Sequence, residues 1–259
     1  MRLTHAECAE ILEEKADAYN RVSFIENDPI CIPHRFVSKA DREISGFLAA
    51  TIAWGQRKTL ISNAEKLIEW MDGCPADFVL NHTAKERKRF LPFVHRTFNG
   101  ADAVFFVERL QHIYHEYGSL EPLFKTSSGS VYDALIQFRT AFLGANVPAR
   151  HHKHVANPEA GSAAKRLNMF LRWMVRKDQR GVDFGIWTCM VPSDLRIPLD
   201  VHSGSTARAL GLLTRTANDW QAVEELTASL RQFDPMDPVR YDFALFGMGV
   251  NEKFSRIPS

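Results

Sequence analysis

The sequence predicts an all-α fold on three observations. Apolar residues recur at three- and four-residue spacing through almost every segment. No alternating apolar–polar series reaches the length a sheet needs, and there are no internal repeats or low-complexity tracts. The 259 residues are 45% hydrophobic and 24% charged, an ordinary balance for a globular chain that can bury a core as one domain or as two lobes.

Taken in order, Thr4 to Arg21 sets Cys8, Ile11, Leu12 and Ala16 on one face of an amphipathic helix. Asp28-Pro29 and Pro33-His34 then impose a loop. Asp41 is placed to cap a helix from Arg42 to Trp54, whose all-round apolar character makes it a buried element. Gly55-Gln56-Arg57 interrupts it, and Lys58 to Met71 resumes helical spacing with Leu60, Ile61, Ala64, Leu67 and Ile68. Further helices are read over Ala76–Leu80, Ala84–Leu91, Ala101–Tyr117 and Ser130–Phe142. The segment from Gly144 to Gly161 is irregular and basic, a loop or hairpin. Ala163 to Val175 is a helix with Leu167, Phe170, Leu171 and Met174 as its core stripe, which leaves Lys165, Arg172 and Arg176 off that stripe. Leu195 to Leu199 is an extended approach, and helices over Ser203–Leu213, Asp219–Phe233 and Val239–Gly247 complete the series.

Composition narrows the function classes. No apolar run approaches the roughly 20 residues of a membrane span. Acidic residues at Glu7, Glu10, Glu13 and Glu14 are unlike a signal peptide, so a cytoplasmic protein is expected. Cys8, Cys31, Cys74 and Cys189 are scattered without metal or iron–sulfur spacing and read as free thiols. The net charge is only +1, yet Arg139 to Arg180 holds nine Lys or Arg against Glu159 and Asp178. Residues 1–30 hold seven acids against three bases. Such polarity suits either a phosphate-facing surface or a solvated basic face.

The chemistry-bearing stretch is IPLDVHSGSTARALGL, from Ile197 to Leu212. Pro198 stiffens an approach that ends on Asp200, and Asp is a preferred N-cap because its oxygen accepts a free helix N–H. On spacing alone Asp200 is a structural cap and Lys165 a solvated lysine on the first turn of its helix. The stretch resembles the (I/V)P-(V/L)-D-x-H/R block of the helix-hairpin-helix DNA glycosylase superfamily. Two further stretches fall in that family's order. Glu43 to Trp70 resembles its early helix pair, and Asp242 to Val250, DFALFGMGV, resembles its late HxxLxxFGxxxC helix. The closest pattern is the archaeal 8-oxoguanine glycosylase branch, in which a Lys begins a helix like KRLNMFLRWM some thirty residues before the Asp. The chain also resembles a bacterial family of unknown function that carries AKRLNMFLRWMVR, VDFGIW and IPLDVH.

The resemblance implies a two-lobed helical unit over residues 1–259. Residues 40–140 would form one lobe; 1–39 and 141–259 would form the lobe with the hairpin and Asp200. It implies a monomeric, nucleoid-associated glycosylase with AP lyase activity, acting on double-stranded DNA that contains a damaged base such as 8-oxoguanine. Lys165 would be the nucleophile and Asp200 the carboxylate that stabilises the cationic sugar. A free lysine has a pKa near 10.4, so only about one in a few thousand is neutral at pH 7; the neighbouring cations Arg166 and Arg172 have the sign that lowers it. Gln56, Arg57, Arg150, Lys153, Gly161, Ser162, Arg166 and His202 would contact DNA. Trp54, Trp187 and Phe243 would line a base pocket, with Trp173 and Phe184 as further rings. No cofactor, metal or iron–sulfur cluster is implied. The hairpin departs from the family's LPGVG: the nearest match is Asn157 to Ser162, and Lys153 is a second candidate nucleophile. Asp183 is a competing carboxylate. Two other classes remain open: a non-catalytic helix-hairpin-helix DNA-binding protein, and a metal-dependent hydrolase using His151, His152, His154, His202 and Asp200.

Overall fold

The structure, a computed structural model, describes residues 3–252 and Phe254. The described chain is mostly helical with one tiny sheet, an all-α protein. No described helix is long and apolar enough to cross a membrane. The helices are α1 (His5–Tyr19), α2 (Lys39–Thr51), α3 (Arg57–Glu69), α4 (Pro75–Asn81), α5 (Ala84–Arg87), α6 (Gly100–Tyr117), α7 (Val131–Leu143), α8 (Ala149–His152), α9 (Lys165–Val175), α10 (Val201–Ala209), α11 (Trp220–Leu230) and α12 (Asp242–Gly247).

The chain divides into two compact units. One comprises residues 1–24, 129–132 and 157–259; the other comprises 25–128 and 133–156. Residues 25–39 and 141–156, grouped from the sequence with the Asp200 lobe, thus belong to the other unit. Local physics explains both assignments. Asp28 caps a 3-10 turn through Ile30 N at 3.1 Å, and Ile30 and Ile32 are buried in a segment that packs on α2. On the C-terminal side, Asp102 of α6 binds Arg150, His151 and His154.

In the second unit the core is aromatic. Phe47 of α2 meets Phe106 of α6 and Phe138 and Phe142 of α7 at ring distances of 5.1–5.9 Å. Helix α2 starts earlier than its apolar run. Its cap is Ser38, which accepts from Asp41 N at 3.1 Å, while Asp41 sits inside the first turn. Buried Glu43 accepts from Tyr114 Oη, Ser119 Oγ and Leu120 N at 2.8–2.9 Å, so its charge is not left unpartnered in the core. The sheet is a hairpin that the sequence reading lacked: β1 (Val94–His95) pairs antiparallel with β2 (Phe98–Asn99) across Arg96-Thr97. Two residues per strand leave no periodicity to detect.

In the first unit, Thr4 and Glu7 form a reciprocal capping box on α1, which buries Cys8, Leu12 and Ala16 and packs against α12. Helix α10 also packs on α12, and α9 buries nine of its eleven residues.

Candidate active site

A tight turn delivers Lys165. Asn157 accepts from Glu159 N at 3.1 Å, a 3-10 turn follows over Pro158–Ala160, and Gly161 takes a left-handed φ of +83°. The Gly161 carbonyl accepts from Trp220 N at 3.1 Å, and Ser162 bridges to Asp219. Ser162 Oγ accepts from Ala164 N at 3.2 Å. Ala164 is itself left-handed, φ +47°, a conformation that costs an L-residue about 1–2 kcal/mol. The chain spends this strain directly before Lys165, the first residue of α9. Asn168 Nδ2 donates to Ala163 O at 3.1 Å and closes the turn against the helix.

A buried strap delivers Asp200. Ile197, Pro198 and Leu199 are buried, and Ile197 N donates to Thr227 Oγ1 at 3.2 Å. Asp200 caps α10 as its type suggests. Oδ1 accepts from His202 N at 2.8 Å, Ser203 N at 3.0 Å and Ser203 Oγ at 3.2 Å. Asp200 N in turn donates to Ser203 Oγ at 2.9 Å, and Asn218 Nδ2 donates to Asp200 O at 3.0 Å. The cap therefore occupies one carboxylate oxygen. The other, Oδ2, lies 3.8 Å from Lys165 Nζ, with the two side chains 27% and 22% exposed. The pair is held in place yet open to a ligand.

Behind the pair runs a buried charge row. Arg172 is 3% exposed; Nε donates to Asp183 Oδ1 at 3.2 Å and Nη1 bonds Asp242 Oδ2. Arg176, 2% exposed, bonds Asp183 at 3.0 Å, Asp237 at 2.8 Å and Asp178 at 2.8 Å. The spacing sets these arginines off the core stripe of the helix; both are nevertheless buried, against carboxylates from outside it. Asp183 is correspondingly a structural counter-ion in this row. Burial pushes the Asp242 carboxyl up to about 6, opposed by Arg172, raised further by Asp200 and opposed again by Lys165. Asp242 is thus electrostatically tied to the Lys165–Asp200 pair. The sequence reading passed over it, although it opens the DFALFGMGV block.

The remaining candidates separate. Gly161 and His202 are exposed, and Ser162 and Arg166 half-buried, in the unit that holds the pair. Burial lowers the Arg166 guanidinium to about 10, which leaves it cationic at neutral pH. Trp187 and Phe243 are core rings, not pocket walls: Trp187 packs edge-on to Phe170 at 5.3 Å, and the Arg172 guanidinium covers Phe243 at 4.3 Å. Trp173 is likewise fully buried. Trp54, Gln56, Arg57, Arg150 and Lys153 belong to the other unit. Trp54 is half-buried, and Gln56 and Lys153 are exposed. Arg150 is committed to Asn99 at 2.7 Å and Asp102 at 3.1 Å.

The histidine cluster also serves a carboxylate. His151 Nδ1 lies 2.7 Å from Asp102 Oδ1 and His154 Nε2 lies 3.3 Å from Oδ2. Burial pushes Asp102 up, but Arg150, the Asn99 backbone N–H and His151 together hold its carboxyl below the ordinary value. Among the described residues no three His, Cys, Asp or Glu side chains are grouped to hold a metal ion. Of the histidines read as possible metal ligands, His151 and His154 face Asp102.

No curated protein and no solved structure matches the chain. A family model described as "protein of unknown function (DUF2400)" matches residues 28–251, a span that includes Lys165, Asp200 and Asp242. The chain is a member of the DUF2400 family.

Proposed function

We propose that the protein is a DNA glycosylase with AP lyase activity, built on a helix-hairpin-helix glycosylase fold and directed at an oxidised purine such as 8-oxoguanine. The observation that carries this reading is the Lys165–Asp200 pair: an amine at a helix start, 3.8 Å from the one carboxylate oxygen that the α10 cap leaves unused. A structural cap needs only Oδ1. Holding Oδ2 at a half-open lysine suits proton transfer between the two groups.

In this mechanism Asp200 Oδ2 accepts a proton from the Lys165 ammonium. The neutral amine adds to the anomeric carbon while the N-glycosidic bond breaks, and the base departs with the bonding electrons and takes the proton that Asp200 holds. Opening of the sugar ring gives an imine between Lys165 and the sugar. Once that proton has passed to the base, the Asp200 carboxylate faces the positive charge on the sugar and its new nitrogen. Gly161, Ser162, Arg166 and His202, in the same unit, are candidate DNA contacts. Arg150, read from the sequence as a DNA contact, serves Asp102 instead.

The test is borohydride trapping on a panel of duplexes with single lesions. Hydride reduces the imine to a stable amine, so wild type should yield a covalent protein–DNA adduct that peptide mapping places at Lys165. Lys165→Gln keeps the side-chain length and helix propensity and should fold, yet form no adduct. Trapping that persists in Lys165→Gln, or the absence of excision from every lesion, would reject this assignment.

A further inference from the structure

The β1–β2 hairpin puts an arginine where turn geometry favours glycine. Its two-residue turn holds Arg96 at φ +53°. Glycine, Asn and Asp occupy such positions readily, whereas other L-residues lose about 1–2 kcal/mol. The Arg96 guanidinium makes no polar contact within the fold: it is exposed, and among the described residues no hydrogen bond or ion pair holds it. A strained position kept for a side chain with no internal partner points outward, to a ligand.

The surroundings hold that cation in place. Arg96 Nε lies 2.8 Å from the point a Cβ on Gly55 would occupy, so the side chain rests on the bare backbone of Gly55, φ +98°. Gly55 leads into Gln56 and Lys58, both exposed and, among the described residues, without side-chain partners. Beneath, the two loops are bolted together. His95 Nε2 lies 3.0 Å from Trp54 O, and His95 Nδ1 lies 2.9 Å from Asn63 Nδ2. The His154 ring stacks over Trp54 at 6.4 Å and meets Phe98 edge-on at 4.9 Å. Residues on both sides of the hairpin tip and of the linker are thereby fixed.

We propose that Arg96, with Gln56 and Lys58 beside it, grips the phosphate backbone of duplex DNA. A guanidinium matches phosphate through paired N–H donors, and an anchored one loses little freedom on binding. This proposal rests on the DNA-directed reading above but not on its chemistry, and, Gln56 aside, the contacts it assigns lie outside the residues that reading uses.

The test is anisotropy titration of the full chain with undamaged duplex DNA over a range of salt concentrations. Arg96→Gly removes the cation and installs the residue the backbone prefers; Arg96→Asn is the companion variant. Both should bind about tenfold more weakly, as expected for one charge-assisted contact. The log–log salt slope should become shallower by about 0.9. Their melting temperatures should equal or exceed that of wild type. Unchanged affinity and slope in folded Arg96→Gly would overturn the Arg96 grip and leave the Lys165 reading intact, since that is judged by trapping. Lowered melting temperatures in both variants would assign Arg96 to hairpin stability and overturn the proposal too. Wild type that shows no salt-dependent duplex binding overturns it as well, with trapping again deciding the chemistry separately.

Discussion

Asp200 carries two duties on two oxygens, and a pair of substitutions separates them. Oδ1 takes three hydrogen bonds at 2.8–3.2 Å from the start of α10, and Oδ2 faces Lys165 at 3.8 Å. Asp200→Ala removes both. Loss of an N-cap costs about 1–2 kcal/mol, which in a chain of this size lowers the melting temperature by a few degrees. Asp200→Asn keeps an oxygen for the cap, and Asn caps about as well as Asp, so its stability should change by only a few tenths of a kcal/mol. It has no carboxylate to take the Lys165 proton or to face a cationic sugar. Excision and trapping should fall by about 10²–10⁴, the range of general acid–base catalysis. Thermal melts and single-turnover trapping on the same preparations provide both readouts. Wild-type trapping rates in Asp200→Asn would refute the division of labour and leave Asp200 a cap alone. Equal destabilisation of the Asn and Ala variants would show that the geometry of Oδ1 does not govern the helix start.

The buried charge row gives two more predictions. Asp242 has its carboxyl raised from 3.8 to about 6 in the fold, so between about pH 4 and 6 the native state holds a proton that the unfolded chain has released. Stability relative to Asp242→Asn should therefore fall as pH rises through that window, by at most about 3 kcal/mol, and stay level above it; a difference in urea-unfolding free energy that stays constant from pH 4 to 7 would contradict this. Arg172→Ala leaves Asp242 without its guanidinium and Asp183 with Arg176 alone, and should cost about 3–5 kcal/mol by urea denaturation, whereas a loss below about 1 kcal/mol would mean that water already screens the row.

The longer helices were legible because they announce themselves locally, whereas the single turn of α8 falls in a segment read as a loop or hairpin. Thr4 and Glu7 spell a capping box, and the α9 stripe of Leu167, Phe170, Leu171 and Met174 is buried as its spacing requires. Errors arose where two residues competed for one task. Ser38 and Asp41 can both begin α2, and the reading favoured Asp41 because it adjoins the apolar run. Ser38 prevails by binding both the backbone N–H and the carboxylate of Asp41. The unit boundary was harder still. It depends on Asp102 reaching across nearly fifty residues of sequence to His151 and Arg150, and no periodicity encodes such a contact.

The same long-range pairing decides what the basic segment means. Counted locally, Arg139 to Arg180 has a charge of +7. In the fold, Arg139 is spent on the carbonyls of His152 and Val155, Arg150 on Asp102 and Asn99, Arg172 and Arg176 on four aspartates, and Arg180 on Asp17. Lys165, Arg172 and Arg176 follow one another at seven- and four-residue steps, and at about 100° per residue all three lie within about 40° on one face of α9. The two later members are sealed by Asp183, Asp242, Asp237 and Asp178. The first stays half-open beside Asp200. A phosphate-binding face would leave the whole row to solvent. A row buried except at its first residue instead fixes the helix that presents one amine, which is why the reading rests on the chemistry of Lys165 and Asp200 and not on the charge of the segment that contains it.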